Sequence, residues 1–347
     1  MMSARPKPLH RLCGRPMVLH VIDALAELQV HRIVVVVGHG AERVVKTVTE
    51  GAPEGVMLDF VEQPTQRGTG DAVSVGITAL PDADDEDGDV IVLPGDTPLL
   101  RPATIAALVR QHRAADAAAT MLTANVTDPY GYGRVVRARD GRVTRIVEEA
   151  DADLEERDIT EVNTSIYVFR HGVLAPSLRR VMPDNAKGEY YLTDVIGVLF
   201  DAGYNVTTLE AADSMEAAGV NDRAQLAVAE AELRDRTNER WMRRGVTMLD
   251  PEHTYVDASV ELGTDVTLFP GTILQGRTVI GEHAEIGPNT RLIDCVVGEG
   301  AFVENAIGRQ AEIGDHAHVG PFASLEPGSR VAPATHTGPF YVGTASD

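Results

Sequence analysis

Residues 278–292 read Thr-Val-Ile-Gly-Glu-His-Ala-Glu-Ile-Gly-Pro-Asn-Thr-Arg-Leu, and they decide the fold of the second part of the chain. An aliphatic residue stands at every sixth position, at Ile280, Ile286 and Leu292, and glycine follows the first two. A period of six fits neither an α-helix nor a plain strand. It is typical of the hexapeptide repeat of a parallel β-helix, in which each aliphatic side chain points into the core of a triangular coil.

The same period extends in both directions from this stretch. A sandwich of alternating strands is the alternative interpretation, but so many positions in one register favour the β-helix. The aliphatic positions are Val256, Leu262, Leu268, Leu274, Ile280, Ile286 and Leu292, then Val297 and Val303 after a one-residue slip, then Ile313, Val319, Leu325 and Val331 after an insertion.

Apolar strands alternate with helical segments up to about residue 205. The β-branched run 32–37 predicts a strand covered on both faces, and residues 16–28 and 102–115 have helical spacing. This alternation predicts an α/β, Rossmann-like domain with a doubly wound, mostly parallel sheet. Residues 222–244 predict one long connecting helix that ends at Gly245. We therefore expect domains at 1–221 and 250–347, joined by the segment 222–249.

Composition narrows the class of protein. The 347 residues include 52 acidic and 31 basic side chains, a formal net charge of −21. Such a surface repels nucleic acid and anionic membranes, so we expect neither as a partner. The two cysteines do not suggest a disulfide framework, no apolar run has the length of a membrane span, and no signal peptide is evident. These features predict a cytoplasmic protein. The acidic stretch 82–88 is expected to be a solvated loop.

Asp96 is the first candidate for chemistry. It follows the apolar run 90–93 through Pro94 and Gly95, which places it at the carboxyl end of a predicted strand. Ligands of open α/β sheets bind at that edge, where a carboxylate can hold a divalent cation against phosphate oxygens. The alternative is a structural aspartate that caps the next helix or closes a turn.

Several further motifs occur in a fixed order around Asp96. Together they resemble the bacterial bifunctional N-acetylglucosamine-1-phosphate uridylyltransferase / glucosamine-1-phosphate acetyltransferase family over nearly the whole chain, with a left-handed parallel β-helix as the second domain. The matching segments are 6–10 (Pro-Lys-Pro-Leu-His), 63–72 (Gln-Pro-Thr-Gln-Arg-Gly-Thr-Gly-Asp-Ala), 93–96 (Leu-Pro-Gly-Asp), 131–134 (Gly-Tyr-Gly-Arg), 146–148 (Ile-Val-Glu), 161–164 (Glu-Val-Asn-Thr), 185–194 (Asn-Ala-Lys-Gly-Glu-Tyr-Tyr-Leu-Thr-Asp) and 219–223 (Gly-Val-Asn-Asp-Arg).

The resemblance implies a reaction in which UTP and N-acetylglucosamine 1-phosphate give UDP-N-acetylglucosamine and pyrophosphate, for cell-wall precursor synthesis. It also implies a homotrimer. Such a reaction depends on positioning and charge neutralisation, which Mg²⁺ assists. The implied roles are catalysis by Lys7 and Asp96, Mg²⁺ binding by Asp96 and Asn221, nucleotide binding by Lys7, Gln63, Gly68 and Thr69, and sugar binding by Gly133, Glu148 and Asn163.

Each of these residues also has a structural interpretation when it is taken alone. Asn221 could cap the long helix, and residues 68–70 and 131–133 could be turns. Lys7 and Glu148 could be solvated surface groups.

The chain also departs from the family at both ends. The family begins with an apolar strand and a Gly-rich loop, and residues 1–7 align with the end of that loop. The family's β-helix continues beyond the point that matches Asp347, into its acetyltransferase residues. Either the true start lies upstream of Met1 or the chain is a truncated derivative. For residues 1–347 as written we expect weak or no uridylyltransferase activity and no acetyltransferase activity. A catalytically inactive, oligomeric sugar-nucleotide-binding or structural protein is the second hypothesis.

Overall fold

The chain forms two units. A short segment from the N-terminal part, called the exchanged segment below, belongs to the second unit. The computed structural model describes residues 1–28, 30–80 and 88–345. The first unit comprises Met1–His10 and Met17–Asp222, and the second comprises Arg11–Pro16 and Arg223–Asp347. The exchanged segment is an antiparallel hairpin of β1 (Arg11–Leu12) and β2 (Arg15–Pro16). The domain boundaries expected from the sequence contain no such exchange.

A six-stranded sheet and a separate two-stranded sheet form the centre of the first unit. In the larger sheet the order is β10-β6-β9-β7-β8, and β5 also pairs with β9; β3 and β4 pair with each other in parallel. The strands are β3 (Ile33–Val37), β4 (Leu58–Glu62), β5 (Asp89–Val92), β6 (Ala119–Asn125), β7 (Gly133–Arg137), β8 (Val143–Val147), β9 (Glu161–Arg170) and β10 (Val206–Glu210).

The sheet is less parallel than the sequence predicts. Only β10 and β6 pair in parallel within the larger sheet of the described residues, whereas β9 is antiparallel to β5, β6 and β7. The ten residues of β9 pair along their length with all three of these neighbours. Strand direction depends on these long-range pairings, which a local apolar pattern does not contain.

Helices cover both faces of the larger sheet. Along β9, Ile166 and Val168 pack on one side and Tyr167 and Phe169 on the other, as strand geometry requires. The helices of the first unit are α1 (Met17–Ala26), α2 (Ala41–Gly51), α3 (Thr69–Ile77), α4 (Pro102–Ala114), α5 (Leu154–Arg157), α6 (His171–Leu178) and α7 (Asp194–Asp201), with 3-10 turns at Lys7–Leu9 and Ser214–Ala217.

The second unit contains the long helix α8 (Arg223–Met242), a 3-10 turn at Pro251–His253, and a parallel β-helix. Its three parallel sheets have the orders β11-β14-β17-β20-β23, β12-β15-β18-β21-β24-β26 and β13-β16-β19-β22-β25. The strands are β11 (Thr247–Met248), β12 (Tyr255–Val256), β13 (Glu261–Leu262), β14 (Thr267–Leu268), β15 (Ile273–Gln275), β16 (Val279–Ile280), β17 (Glu285–Ile286), β18 (Arg291–Ile293), β19 (Val296–Val297), β20 (Phe302–Val303), β21 (Ile307–Arg309), β22 (Glu312–Ile313), β23 (His318–Val319), β24 (Ser324–Leu325), β25 (Arg330–Val331) and β26 (Val342–Gly343).

The predicted β-helix is confirmed, and it is consistent with the left-handed form. The aliphatic residues of the repeat are buried, apart from Leu262, which is partly exposed. The expected insertion between Val303 and Ile313 is wrong. Gly308 takes the core position there, in register with Leu292 and Leu325, so two spacings of five replace one long one. A Cβ atom on Gly308 would lie 3.0 Å from Leu292 Cδ2, which explains why no aliphatic residue marks this coil.

Other sequence expectations have simpler outcomes. The predicted helices at 16–28, 102–115 and 222–244 correspond to α1, α4 and α8, each slightly shorter than expected. Both cysteines are buried and free. The acidic stretch lies outside the described residues except for Gly88. Within the described ranges, no helix has the length and apolarity needed to cross a membrane.

Candidate active site

Lys7, Asp96 and Asn221 meet at the carboxyl end of β5. The Lys7 ammonium forms an ion pair with the Asp96 carboxylate and donates a hydrogen bond to Asn221 Oδ1 over 2.5 Å. The side chains of Lys7 and Asp96 are partly exposed, at 35% and 23%. One cation therefore bridges two oxygen ligands that lie 125 positions apart in the sequence. The sequence-predicted catalytic and metal-binding residues form a single group.

Rigid local structure positions this group. Pro6 precedes the 3-10 turn Lys7–Leu9, and proline restricts the backbone there. The backbone N–H of Val220 donates to the Asp96 carbonyl oxygen at 3.0 Å, which ties the segment before α8 to the end of β5. Asp96 does not cap the following helix, because the N-cap residue of α4 is Arg101. The Asp96 side chain is therefore directed to Lys7 instead of to a turn.

The donor set around Lys7 suits a magnesium ion that is shared with a substrate. Among the described residues, no three His, Cys, Asp or Glu side chains converge closely enough to hold a metal ion without other ligands. Mg²⁺ prefers oxygen ligands and retains water or binds phosphate oxygens when the protein supplies one or two groups. Asp96 and Asn221 already direct oxygen atoms at one cation, and they fit this type of site.

Gln63 lies at the end of β4 beside the loop that leads into α3. Its Nε2 atom donates to Asp71 Oδ2 at 2.7 Å and to the Gly68 carbonyl oxygen at 3.3 Å. These two acceptors fix the orientation of the buried Gln63 amide. If the amide were flipped, its Oε1 atom would face two acceptor oxygens and could form no hydrogen bond with either. Asp71 is a positioning residue that the sequence analysis missed, although it lies within the quoted motif.

Gly68 and Thr69 contact the segment 190–192. Gly68 has φ = +110°, and a Cβ atom there would lie 2.5 Å from the Tyr190 carbonyl oxygen, so only glycine fits. The Thr69 hydroxyl accepts a 3.0 Å hydrogen bond from the Leu192 N–H. These residues fix the course of the loop between β4 and α3, which is a structural role beside the nucleotide-binding role expected for them.

Gly133, Glu148 and Asn163 form a second group. Gly133 is directly opposite Asn163 in the register of β7 and β9, and a Cβ atom on Gly133 would lie 3.5 Å from Glu148 Oε1. Glu148 Oε1 accepts a 3.0 Å hydrogen bond from the buried Thr193 hydroxyl. Gly133 begins a strand instead of ending a turn, and burial raises the pKa of Glu148. Thr193 was given no role in the sequence analysis, although it lies within the quoted motif 185–194.

Asp194 is a further acidic group near Glu148. Burial, followed by the charges of Glu148 and Asp151, raises the pKa of Asp194 to about 6. The same neighbourhood raises the pKa of Tyr191 to about 12, again chiefly through burial. Partial burial of several carboxylates together is energetically unfavourable unless a ligand donates hydrogen bonds to them, as sugar hydroxyl groups do.

One cavity of about 1530 Å³ borders the first group and extends to Thr193. Lys7, Asp96, Gln63, Thr69 and Thr193 all line it. Asn221 is connected to it through Lys7, and Glu148 through Thr193. The cavity therefore borders Lys7, Asp96 and the Gln63 amide, and it reaches Thr193, the hydrogen-bond partner of Glu148.

Comparisons with known proteins identify the family to which this chain is similar. The sequence profile of the family described as nucleotidyl transferase matches residues 2–242. The chain is 43% identical over 340 residues to the bifunctional protein GlmU of Shouchella clausii, covering 98% of this chain and 73% of that protein. It is 47% identical over 341 residues to the GlmU of Mycolicibacterium vanbaalenii, covering 98% and 69%. It is 48% identical over 315 residues to the GlmU of Thermobifida fusca, covering 90% and 64%.

Proposed function

This chain belongs to the nucleotidyl transferase family, and we propose on that basis that it is a sugar-1-phosphate uridylyltransferase. The substrates we propose are UTP and N-acetylglucosamine 1-phosphate, and the products are UDP-N-acetylglucosamine and pyrophosphate. A cytoplasmic location and a homotrimeric state are part of the proposal. The observation that carries it is the convergence of Lys7, Asp96 and Asn221 on one cation position.

The reaction joins two anions, so charge neutralisation at the phosphates is the main requirement. A phosphate oxygen of the sugar 1-phosphate attacks the α-phosphorus of UTP, and the bond to pyrophosphate breaks. The Asp96 carboxylate and the Asn221 amide oxygen would hold Mg²⁺. When bound, this ion supplies positive charge to the phosphate oxygens of the triphosphate. The Lys7 ammonium adds a second positive charge beside the same oxygens.

Gln63 offers a basis for selecting the base. Because its N–H groups donate to Asp71 and Gly68, its carbonyl oxygen is left to accept a hydrogen bond from a ligand. Uracil presents an N3–H donor, whereas cytosine has only an acceptor at that position. The fixed amide therefore favours UTP over CTP.

The second group is proposed to bind the sugar. The Glu148 carboxylate accepts hydrogen bonds from sugar hydroxyl groups, while the Asn163 amide and the backbone at Gly133 are placed beside it. The Thr193 hydroxyl holds Glu148 in this orientation. Loss of Thr193 is expected to weaken sugar binding without removing a contact to the phosphates.

The experiment that tests the proposal is pyrophosphate release from UTP, N-acetylglucosamine 1-phosphate and Mg²⁺. Asp96→Ala is expected to lower the rate by about 10³-fold or more, the size of effect that loss of an electrostatic catalytic group produces. Asp140→Asn is the matched control, since Asp140 is an exposed acid of the same unit that pairs with Arg142. An unchanged rate in Asp96→Ala would contradict the assignment.

The second hypothesis, a catalytically inactive binding or structural protein, is not favoured. The family match covers residues 2–242, and the relatives are similar over nearly all of this chain. An inactive protein would have no need to keep an ammonium, a carboxylate and an amide oxygen together in an open site. Product formation that depends on UTP would exclude it.

A further inference from the structure

Arg134 carries a charge in a buried position of β7. It follows Gly133, pairs with Val147 of β8 and with Val162 of β9, and is only 2% exposed. This residue therefore lies where β7 meets both of its neighbouring strands. A charged side chain at such a position needs partners, since burial of an unpaired charge is strongly unfavourable.

The partners of Arg134 are the turn that precedes it and the residue that follows Glu148. The Arg134 Nη2 atom donates to Glu149 Oε2 at 2.6 Å, and the Nη1 atom donates to the Tyr132 carbonyl oxygen. The same oxygen of Glu149 accepts a hydrogen bond from the Gly131 N–H at 3.2 Å. The ion pair therefore holds two successive residues of the turn through their backbone groups.

The segment 128–132 depends on this ion pair for its attachment. Within the described ranges, every hydrogen bond that leaves the segment ends on Arg134 or Glu149. Tyr130 is 79% exposed, and a Cβ atom on Gly131 would have no neighbour within 4 Å, so side-chain packing at these positions contributes little. A loop with few apolar contacts opens at a low free energy. Loss of either partner is therefore expected to release the turn.

The turn leads directly into the proposed sugar-binding group. Gly133 follows the turn and is opposite Asn163 in the register of β7 and β9, and a Cβ atom on Gly133 would lie 3.5 Å from Glu148 Oε1. Glu149 is the next residue after Glu148. The ion pair thus links the residue after Gly133 to the residue after Glu148, and it fixes the spacing between the two.

The adjacent glutamates have opposite electrostatic surroundings. Burial raises the pKa of Glu148, whereas the hydrogen bond that Arg134 donates lowers the pKa of Glu149. Glu149 is thus ionised and occupied by donors of the protein itself. This arrangement suits a residue that positions its neighbour, while Glu148 is the glutamate that serves the ligand.

Stability alone does not explain a guanidinium in this place. A buried ion pair is often no more stabilising than apolar side chains of similar volume. The Nε atom of Arg134 is buried and has no hydrogen-bond partner among the residues that the structure describes. The hydrogen bonds to the turn and to Glu149 are what the guanidinium supplies and an apolar side chain does not.

We propose that Arg134 and Glu149 are positioning residues that set the affinity for the sugar and leave the affinity for UTP unchanged. They hold the turn so that the Gly133 backbone and the Glu148 carboxylate meet the same sugar ring. Among the described residues, all hydrogen bonds of the two side chains lie within 131–149, so loss of the ion pair removes none to the residues assigned to the nucleotide. The inference rests on the proposed function, which assigns Glu148 to the sugar.

Titration calorimetry of the full chain with UDP-N-acetylglucosamine and with UTP, each with Mg²⁺, tests the proposal. Glu149 is 26% exposed, so the chain is expected to fold without its carboxylate. Glu149→Ala should raise the Kd for UDP-N-acetylglucosamine at least about tenfold, because the turn is released. The Kd for UTP should change by less than about twofold, as expected for an independent site.

Two further variants show whether the lost hydrogen bonds are the cause. Glu149→Gln keeps an oxygen that accepts from both donors, so the affinity for UDP-N-acetylglucosamine should return to within about threefold of the parent value. Glu156→Ala is the matched control, since it breaks the 2.7 Å ion pair between Glu156 and Arg145 in the same unit. This control should change neither affinity. An unchanged affinity for UDP-N-acetylglucosamine in Glu149→Ala would overturn the proposal.

A double variant separates positioning from stability. Arg134→Met with Glu149→Leu replaces the ion pair by apolar side chains, and it should recover the unfolding temperature that Glu149→Ala loses. Its affinity for UDP-N-acetylglucosamine should remain at least about tenfold below that of the parent, because nothing holds the turn. Recovery of this affinity together with stability, or equal losses of both affinities in Glu149→Ala, would overturn the proposal. A parent chain that binds UTP but not UDP-N-acetylglucosamine would instead contradict the proposed function, and this inference with it.

Discussion

At the scale of single residues, the central feature is the position of Lys7. Its ammonium group lies between the oxygen atoms of Asp96 and Asn221, where the proposed Mg²⁺ would bind. Its ammonium pairs with the carboxylate and lies 2.5 Å from the amide oxygen. A divalent cation needs the same oxygens, and two positive charges at this distance repel each other. We therefore expect Lys7 to turn towards the phosphates when the metal and the nucleotide bind.

This competition makes a prediction for Lys7→Ala. The variant should lose about 10²-fold or more in the rate of pyrophosphate release, because one positive charge at the phosphates is missing. In the absence of nucleotide, however, it should bind Mn²⁺ more tightly than the parent chain, as measured by electron paramagnetic resonance. Lys46→Ala is the control, since Lys46 is highly exposed. Weaker Mn²⁺ binding by Lys7→Ala would contradict the shared position.

Asp194 provides a pH-dependent prediction. Its pKa of about 6 lies above the ordinary value of 3.8, so the folded state favours the protonated form. Ionisation therefore destabilises the fold, increasingly as the pH rises from about 4 to 6 and constantly above that. Because the group is half-buried, Asp194→Asn should raise the free energy of unfolding by only about 1 kcal/mol at pH 8, and by little at pH 4.

Urea unfolding followed by circular dichroism at the two pH values measures this difference. The exposed Asp184→Asn serves as the control. Equal stabilisation by Asp194→Asn at both pH values would show that ionisation is not the cause.

At the scale of secondary-structure elements, the loop between β4 and α3 depends on close backbone contact. Gly68 and Gly188 both have positive φ, but a Cβ atom on Gly68 would meet the Tyr190 carbonyl at 2.5 Å, whereas none lies within 4 Å of Gly188. Gly68→Ala should lower the free energy of unfolding by about 2 kcal/mol or more and also lower the affinity for UTP. Gly188→Ala should lower the free energy of unfolding by only about 1 kcal/mol. Thermal unfolding and UTP titration distinguish the two variants. Equal destabilisation by both would exclude the close approach to the Tyr190 carbonyl as the cause.

The coils of the β-helix depend on their aliphatic ladder. Ile286 is completely buried in the core cluster of the second unit. Ile286→Ala should lower the free energy of unfolding by about 3 kcal/mol, as cavities in well-packed cores do. Val228→Ala in the exposed surface of α8 is the control and should change stability by less than about 0.5 kcal/mol. A small effect at Ile286 would mean that the coil relaxes around the cavity.

The same elements show how far the sequence predicts the structure. The period of six predicted the β-helix because one coil repeats a local geometry, and the run 32–37 predicted a strand for a similar local reason. The antiparallel course of β9 and the exchange of the hairpin at residues 11–16 depend on pairings between distant segments. Thr193 and Asp71 were missed because each acts through another side chain, Glu148 or Gln63.

At the scale of the whole molecule, the β-helix has outward apolar residues suited to self-association. Val279 and Val296 are neighbours on one sheet of the β-helix and are 37% and 51% exposed. We predict a homotrimer through this unit, and light scattering should report three times the chain mass of 37.2 kDa. Val296→Lys should shift the population to monomers if this sheet is in the interface. A monomeric parent chain at micromolar concentration would contradict the prediction.

The most direct test of the central claim is phosphorus nuclear magnetic resonance of the complete reaction. With UTP, N-acetylglucosamine 1-phosphate and Mg²⁺, the proposal predicts signals of a UDP-sugar and pyrophosphate in equal amounts. Production should be at least about 10³-fold slower with Asp96→Ala, and slower with CTP than with UTP. No UDP-sugar from the parent chain, or equal production by Asp96→Ala, would contradict the claim that Lys7, Asp96 and Asn221 form the catalytic centre.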